Sequence, residues 1–122
     1  MSPNAFPTLL EELGQIPSAL RGMLADYQSP QGRRRLELLP PPERIILTGM
    51  GASFHTAWVA AQHLSRLGVP AWAVEAVDLL NYIHPAVQGK PAVVYVSQSG
   101  ASGEVLPLLD LLAGRTRLAA LT

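Results

Sequence analysis

The second two-thirds of this 122-residue chain repeats one unit, an uninterrupted apolar run that leads through a turn of small residues into a stretch with helical spacing. Arg44-Ile45-Ile46-Leu47-Thr48 runs into Gly49-Met50-Gly51-Ala52-Ser53, and Ala92-Val93-Val94-Tyr95-Val96 runs into Ser97-Gln98-Ser99-Gly100-Ala101-Ser102-Gly103. Two further runs, Ala71–Glu75 and Thr116–Leu121, read as strands of the same kind. A strand that does not alternate polar and apolar residues is buried on both faces, and strands separated by helices run parallel. The expected architecture is therefore an α/β fold in three layers, a parallel sheet with helices on both sides. In such a sheet ligands bind beyond the carboxyl ends of the strands, where the strand order reverses. Both small-residue turns belong at that end.

The intervening helices have readable limits. From Ser53 the residues Phe54, Ala57, Trp58, Ala61 and Leu64 keep a helical rhythm to Leu67, and Gly68 is placed to end it. Asp78 is expected to cap a short helix through Tyr82. The stretch Val105, Leu108, Leu109, Leu112 forms the next helix up to Gly114, with Pro107 forcing an irregular first turn or a start near Glu104.

The first 42 residues are different. They hold seven of the eleven prolines and close on Pro40-Pro41-Pro42, which neither continues a helix nor pairs as a central strand. Division into a helical segment, 1–42, and a single α/β domain, 43–122, follows. Within the segment Thr8 and Glu11 have capping-box spacing, and Leu9, Leu10, Leu13 and Ile16 give an amphipathic face that Pro17 is expected to interrupt. Leu20, Met23 or Leu24, and Tyr27 continue at helical spacing, and Arg33-Arg34-Arg35 reads as a solvated helix face.

Composition narrows the function classes. Nine basic and nine acidic residues cancel, so no overall field attracts nucleic acid or an anionic membrane, and no uncharged apolar run approaches the ~18 residues of a membrane span. With no cysteine there is no disulfide, thiolate metal site or Cys nucleophile, and a cytoplasmic setting is the natural expectation. His63 and His84 lack the paired spacing of metal ligands and are read as structural, so neither a metal nor a cofactor is expected. A charged fraction of 15%, against ~25% in ordinary soluble domains, leaves apolar surface free and makes a homodimer the default expectation. Trp58 and Trp72 read as core or interface bulk.

The two turns are the chemical signal. A helix N-terminus offers unpaired N–H groups and the positive end of the helix dipole, and glycine lets the backbone come close to an anion. Ser97, Ser99 and Ser102 surround one turn with hydroxyls, Ser53 adds one from the other, and Gln98 adds an amide. This donor set, without an adjacent Lys or Arg, suits a phosphate monoester held by hydrogen bonds. The simpler reading is that the serines only cap and form turns. No Gly-Lys-Ser/Thr sequence is present, which argues against a P-loop. Gly49-Met50-Gly51 with Glu75 at the end of the second strand imitates a dinucleotide-binding unit, but Phe54 stands where its third glycine is needed.

These residues, in this order, resemble the sugar isomerase (SIS) domain family, above all the first SIS half of the isomerase part of glucosamine-6-phosphate synthase and its glutaminase-free relatives. Gly49-Met50-Gly51-Ala52-Ser53-Phe54-His55 is similar to the family's Gly-Thr-Ser-Tyr-His turn, and Ser97-Gln98-Ser99-Gly100-Ala101-Ser102 to its Ser-Gln-Ser-Gly-Glu-Thr loop. Val74-Glu75 and Asp78-Leu79-Leu80-Asn81-Tyr82 resemble the segment between them. The resemblance implies a flavodoxin-like five-stranded sheet, of which this chain lacks the last strand and its covering helix, so a fragment or a partner that completes the sheet is expected. It also implies that Ser97, Ser99 and Ser102 bind a sugar phosphate such as fructose-6-phosphate or glucosamine-6-phosphate, with Gln98 and Ser53 on the same ligand. The implied activity is an aldose–ketose isomerase or deaminase of amino-sugar metabolism, working with a second SIS half. Ala52 and Ala101 depart from the family's threonine and glutamate, which changes sugar recognition more than phosphate capture.

Isomerisation needs a base and an acid near adjacent carbons. In this chain only Glu104, at the start of the serine-loop helix, and His55, one turn into the first, are candidates; a dipole-favoured surface acid and a half-buried packing histidine are the plain alternatives. Glu75 and Asp78 line the expected cleft mouth. A non-catalytic module that senses a sugar phosphate is the competing class, and a dinucleotide-binding domain the more distant one.

Overall fold

The computed structural model describes residues 8–37, 43–82 and 87–122. The chain divides into two compact units, Met1–Pro40 and Pro41–Thr122.

The first unit is a pair of helices, α1 (Leu9–Gln28) and α2 (Pro30–Glu37). Thr8 caps α1: its hydroxyl accepts from the Glu11 amide at 3.3 Å, while the Glu11 carboxylate accepts from the Thr8 amide at 2.6 Å. The sequence expectation of a break at Pro17 is corrected, since α1 runs through it as one 20-residue helix. Proline inside a helix costs roughly 3 kcal/mol. Leucine, glutamate and alanine favour helix in the turns before and after it, and Ser18 donates its hydroxyl to the Gln15 carbonyl at 2.8 Å. Ser29 ends α1 and starts α2, giving its hydroxyl to the Asp26 carbonyl at 2.6 Å and accepting the Gly32 amide at 3.0 Å. Gly32 is buried there because a Cβ would overlap the Asp26 carbonyl oxygen. The arginine run is solvated as expected, with Arg35 paired to Asp26 at 3.2 Å. Pro40-Pro41-Pro42 lies outside the described residues.

The second unit is a four-stranded parallel sheet, in the order β2-β1-β3-β4, with β1 Ile45–Gly49, β2 Ala71–Glu75, β3 Ala92–Val96 and β4 Arg117–Leu121. Helix α3 (Ala52–Arg66) covers one face, where Leu47, Ala57 and Ala61 form a core with Ile45, Ala73, Val94 and Val96 packed against it. Helices α4 (Ala76–Asn81) and α5 (Val105–Leu112) cover the other, Leu79, Leu108 and Leu112 packing with Ile46, Val74 and Val93 of the strands. Alternate residues of each strand thus enter different cores, as the apolar runs require. Helices on opposite faces for the two directions of travel from β1 keep every crossover the same hand.

Two expectations fail locally. Helix α4 begins at Ala76, straight after β2, so Glu75 occupies the cap position and Asp78 sits in the first turn rather than capping it. Burial of Ala76 and Leu79 explains this, because the helix must start at once for both to reach the core. Of the two roles expected for Trp58 the core one fails, the residue being 52% exposed, because the positions of α3 that meet the sheet are the alanines 57 and 61, whose small size allows close approach. Trp72 does pack against the second core. Beyond α5, Leu118 and Leu121 of the outer strand β4 are exposed, and an apolar groove of about 230 Å³ lies between β4, β3 and α5.

Hydrogen bonds from the Thr8 amide first, and from its hydroxyl second, hold the Glu11 carboxyl below its ordinary 4.5. A depressed folded value means that this cap contributes fully above pH 4.5 and is lost as pH falls through the lowered value. Far-UV ellipticity of the chain should therefore decline on acidification below 4.5, and Glu11→Gln should flatten that decline. An unchanged profile in the variant would contradict the role of this carboxylate.

Candidate functional site

The strand order places the reversal between β1 and β3. From β1 the chain passes to α3 on one face, and from β3 it passes to α5 on the other, so the two Gly/Ser turns leave neighbouring strand ends in opposite directions. Gly49 and Val96, the last residues of the two strands, are register partners. A crevice opens between diverging loops at such a point.

Glycine is required on the β1 side. A Cβ at Gly49 would stand 2.8 Å from the Val96 carbonyl oxygen and 3.1 Å from Ser53. Gly51 precedes α3 with φ +54, a conformation that side chains rarely adopt. Ser53 follows, half-buried, its amide donating to the Met50 carbonyl at 3.1 Å. Its hydroxyl has no hydrogen-bond partner among the described residues.

On the β3 side, Ser97 is 5% exposed, and its amide ties the loop to β4 through the Leu121 carbonyl at 2.9 Å. The Ser97 hydroxyl accepts from the Gly100 amide at 2.9 Å, and the Ser99 hydroxyl from the Ala101 amide at 3.2 Å. Both oxygens therefore shape the turn, as the simpler reading holds, while each O–H remains able to donate outward. Gln98 is exposed and Ser102 half-buried, and neither side chain is bonded among the described residues. Gly100, at φ +65, sends the chain back toward α5, and the Val105 amide donates to the Ser102 carbonyl at 3.1 Å. The helix starts at Val105 with Pro107 as its third residue.

The candidate acid and base are separated by the fold, Glu104 half-buried before α5 and His55 on α3 across the sheet. The packing alternative offered for His55 needs correction: the residue is exposed, with its ring 5.6 Å from that of Phe54. Glu75 is half-buried at the end of β2, beside Gly49 in register, and Asp78 is exposed. His63 is exposed, and His84 lies outside the described residues. Among the described residues no three His, Asp or Glu side chains gather as metal ligands, and no helix is long and apolar enough to cross a membrane.

Residues 38–119 match the family model of the SIS domain. The chain belongs to the SIS domain family. It is 28% identical over 101 residues to a glutamine–fructose-6-phosphate aminotransferase (isomerizing) of Shouchella clausii, and 28% identical over 102 residues to that of Staphylococcus aureus strain Mu50. Each match covers 79% of this chain and 17% of the relative, so the chain spans about a sixth of the length of these proteins. Among solved structures, tagatose-6-phosphate ketose/aldose isomerase from Escherichia coli superposes with a TM-score of 0.55 at 26% identity, covering 84% of this chain and 28% of that one.

Sequence reasoning passed over two residues of this SIS domain. Thr48 and Tyr95 are register partners one step before the strand ends, and their hydroxyls are the buried side-chain oxygens without a partner among the described residues. A lone polar residue inside each apolar run was the available signal. An unsatisfied buried hydroxyl costs about 1–3 kcal/mol.

Two stability measurements test this geometry. Gly49→Ala should destabilise the domain by about 1–3 kcal/mol, because the added carbon meets backbone rather than a movable side chain. An unfolding midpoint equal to the wild type would show that the strand ends are looser than described. Thr48→Val should leave stability unchanged or raise it, since it removes an unpaired oxygen at nearly constant volume. A clear loss of stability would mean that the hydroxyl has a partner.

Proposed function

We propose that the Pro41–Thr122 unit is a phosphosugar-binding module, and that the protein containing it is an aldose–ketose isomerase or deaminase acting on sugar phosphates. The supporting observation is the meeting of two Gly/Ser turns at the carboxyl ends of adjacent parallel strands, where the chain order reverses. The names of the relatives point the same way: one acts on fructose-6-phosphate, the other is a tagatose-6-phosphate isomerase.

In this reading the phosphate lies over the serine loop. Ser97 and Ser99 donate their O–H groups to it while keeping their oxygens on the turn amides. Ser102 and Gln98 approach from the same loop and Ser53 from the β1 turn. No lysine or arginine belongs to this set, so binding rests on neutral donors and helix dipoles. Such a site selects a compact, tightly solvated dianion by geometry more than by charge.

Proton transfer needs an acid and a base above the sugar. Glu104 and His55 stand on elements that leave the crevice in opposite directions, which supports a reading in which this chain binds the phosphosugar and a second SIS half supplies the catalytic groups. The same separation favours, as a second reading, a sensor that binds sugar phosphate without turning it over. Isomerisation by the complete protein separates the two.

Calorimetric titration with fructose-6-phosphate and with glucosamine-6-phosphate provides the test. Each hydrogen bond to the phosphate contributes about 1.5–3 kcal/mol, so Ser97→Ala with Ser99→Ala should weaken binding by at least about a hundredfold. Because both serines also hold the turn, Ser102→Ala, which breaks no internal bond, should weaken it too. Wild-type affinity in all variants removes the assigned phosphate site. The chain by itself should bind without measurable isomerisation.

A further inference from the structure

Helix α1 carries apolar residues at 9, 13, 16, 20, 23 and 27, alternating steps of four and three. This is the heptad rhythm by which one helix inserts its side chains between those of another. None of α1 is buried: Leu9, Leu13, Ile16, Leu20 and Met23 are between 47% and 70% exposed, and Leu10 and Leu24 widen the stripe at 79% and 54%. Seven such side chains come to about the ~800 Å² that each partner contributes to a stable interface. The stripe runs the full helix, roughly 30 Å.

Charge decides what lies against it. Glu11 and Glu12 make the first turn of α1 acidic. At the other end α2 folds back with Arg33, Arg34 and Arg35, held there by Arg33 Nε donating to the Gln28 carbonyl at 3.2 Å and by the Arg35–Asp26 pair at 3.2 Å. Three arginines outnumber Asp26 and Glu37 at that end. The helix pair is thus negative at one end, positive at the other and apolar between. Its complement is itself, reversed. Two copies side by side and antiparallel set each acidic turn against the partner's arginines and oppose the helix dipoles, whereas a parallel pair sets like against like. The spacing is symmetric as well, since residues 9 and 27 are equidistant from the twofold point at 18.

We infer that α1 is a self-association surface, which pairs antiparallel with α1 of a second copy of this chain across a twofold axis. This pairing follows from the helical unit by itself and does not rest on the proposed phosphosugar binding.

Sedimentation equilibrium of the full chain at tens of micromolar, with circular dichroism to verify helicity, tests it. The wild type should be a dimer that weakens with salt. Ile16→Glu with Leu20→Glu should leave a helical monomer. Glu12→Arg alone should weaken the dimer at least tenfold, and adding Arg34→Glu should restore it. A monomeric wild type overturns the inference, as does a dimer that survives Ile16→Glu with Leu20→Glu, which would place the contact elsewhere, such as the exposed edge of β4. Failure of Arg34→Glu to rescue Glu12→Arg overturns the antiparallel arrangement.

Discussion

The α/β unit depends on the approach of β1 to β3 at their carboxyl ends. Gly49 faces the Val96 carbonyl with no room for a carbon atom between. That contact allows ladder pairing to continue to the last residue of each strand, and it fixes the separation of the two turns that follow. A side chain there would have to be accommodated by parting the strands, which moves both turns at once. Sheet stability and site geometry therefore share one constraint.

The packing around this pair is unequal. On one face α3 meets the sheet through Ala57 and Ala61 and lies close to β1, turning Trp58 to solvent. On the other, the larger side chains Leu79 of α4 and Leu108 and Leu112 of α5 close over Ile46, Val74 and Val93. The serine loop reaches α5 through eight residues, from Ser97 to Glu104, and the β1 turn reaches α3 through two. The one turn is short, and the other is longer and rich in hydroxyls.

In the proposed function the serines serve two ends. Ser97 and Ser99 accept turn amides with their oxygens, which fixes where the oxygens lie and leaves the hydrogens to point elsewhere. A hydroxyl positioned in this way loses little entropy when an anion arrives, which is the benefit of preorganisation. The turn-forming and anion-binding readings of these residues are accordingly compatible.

Strand positions were legible because their signal is local: Ala71–Glu75 and Ala92–Val96 coincide with the expected runs, since residues buried on both faces cannot be polar. Gly68 and Gly114, at φ +84 and +71, end α3 and α5 for an equally local reason. The family and the turn-forming role of Ser97 and Ser99 were legible too, because a loop that shapes itself with its own hydroxyls carries that signal in consecutive residues. The path through Pro17, the start of α4 at Ala76, the exposure of Trp58 and the orphaned hydroxyls of Thr48 and Tyr95 were not. Each depends on what lies across a helix–sheet or strand–strand contact from residues distant in the chain, and spacing along one chain carries no record of that neighbour. Linear order thus prescribes which elements form and what donors they carry, while folding alone settles how near those elements come, because close approach is a property of pairs.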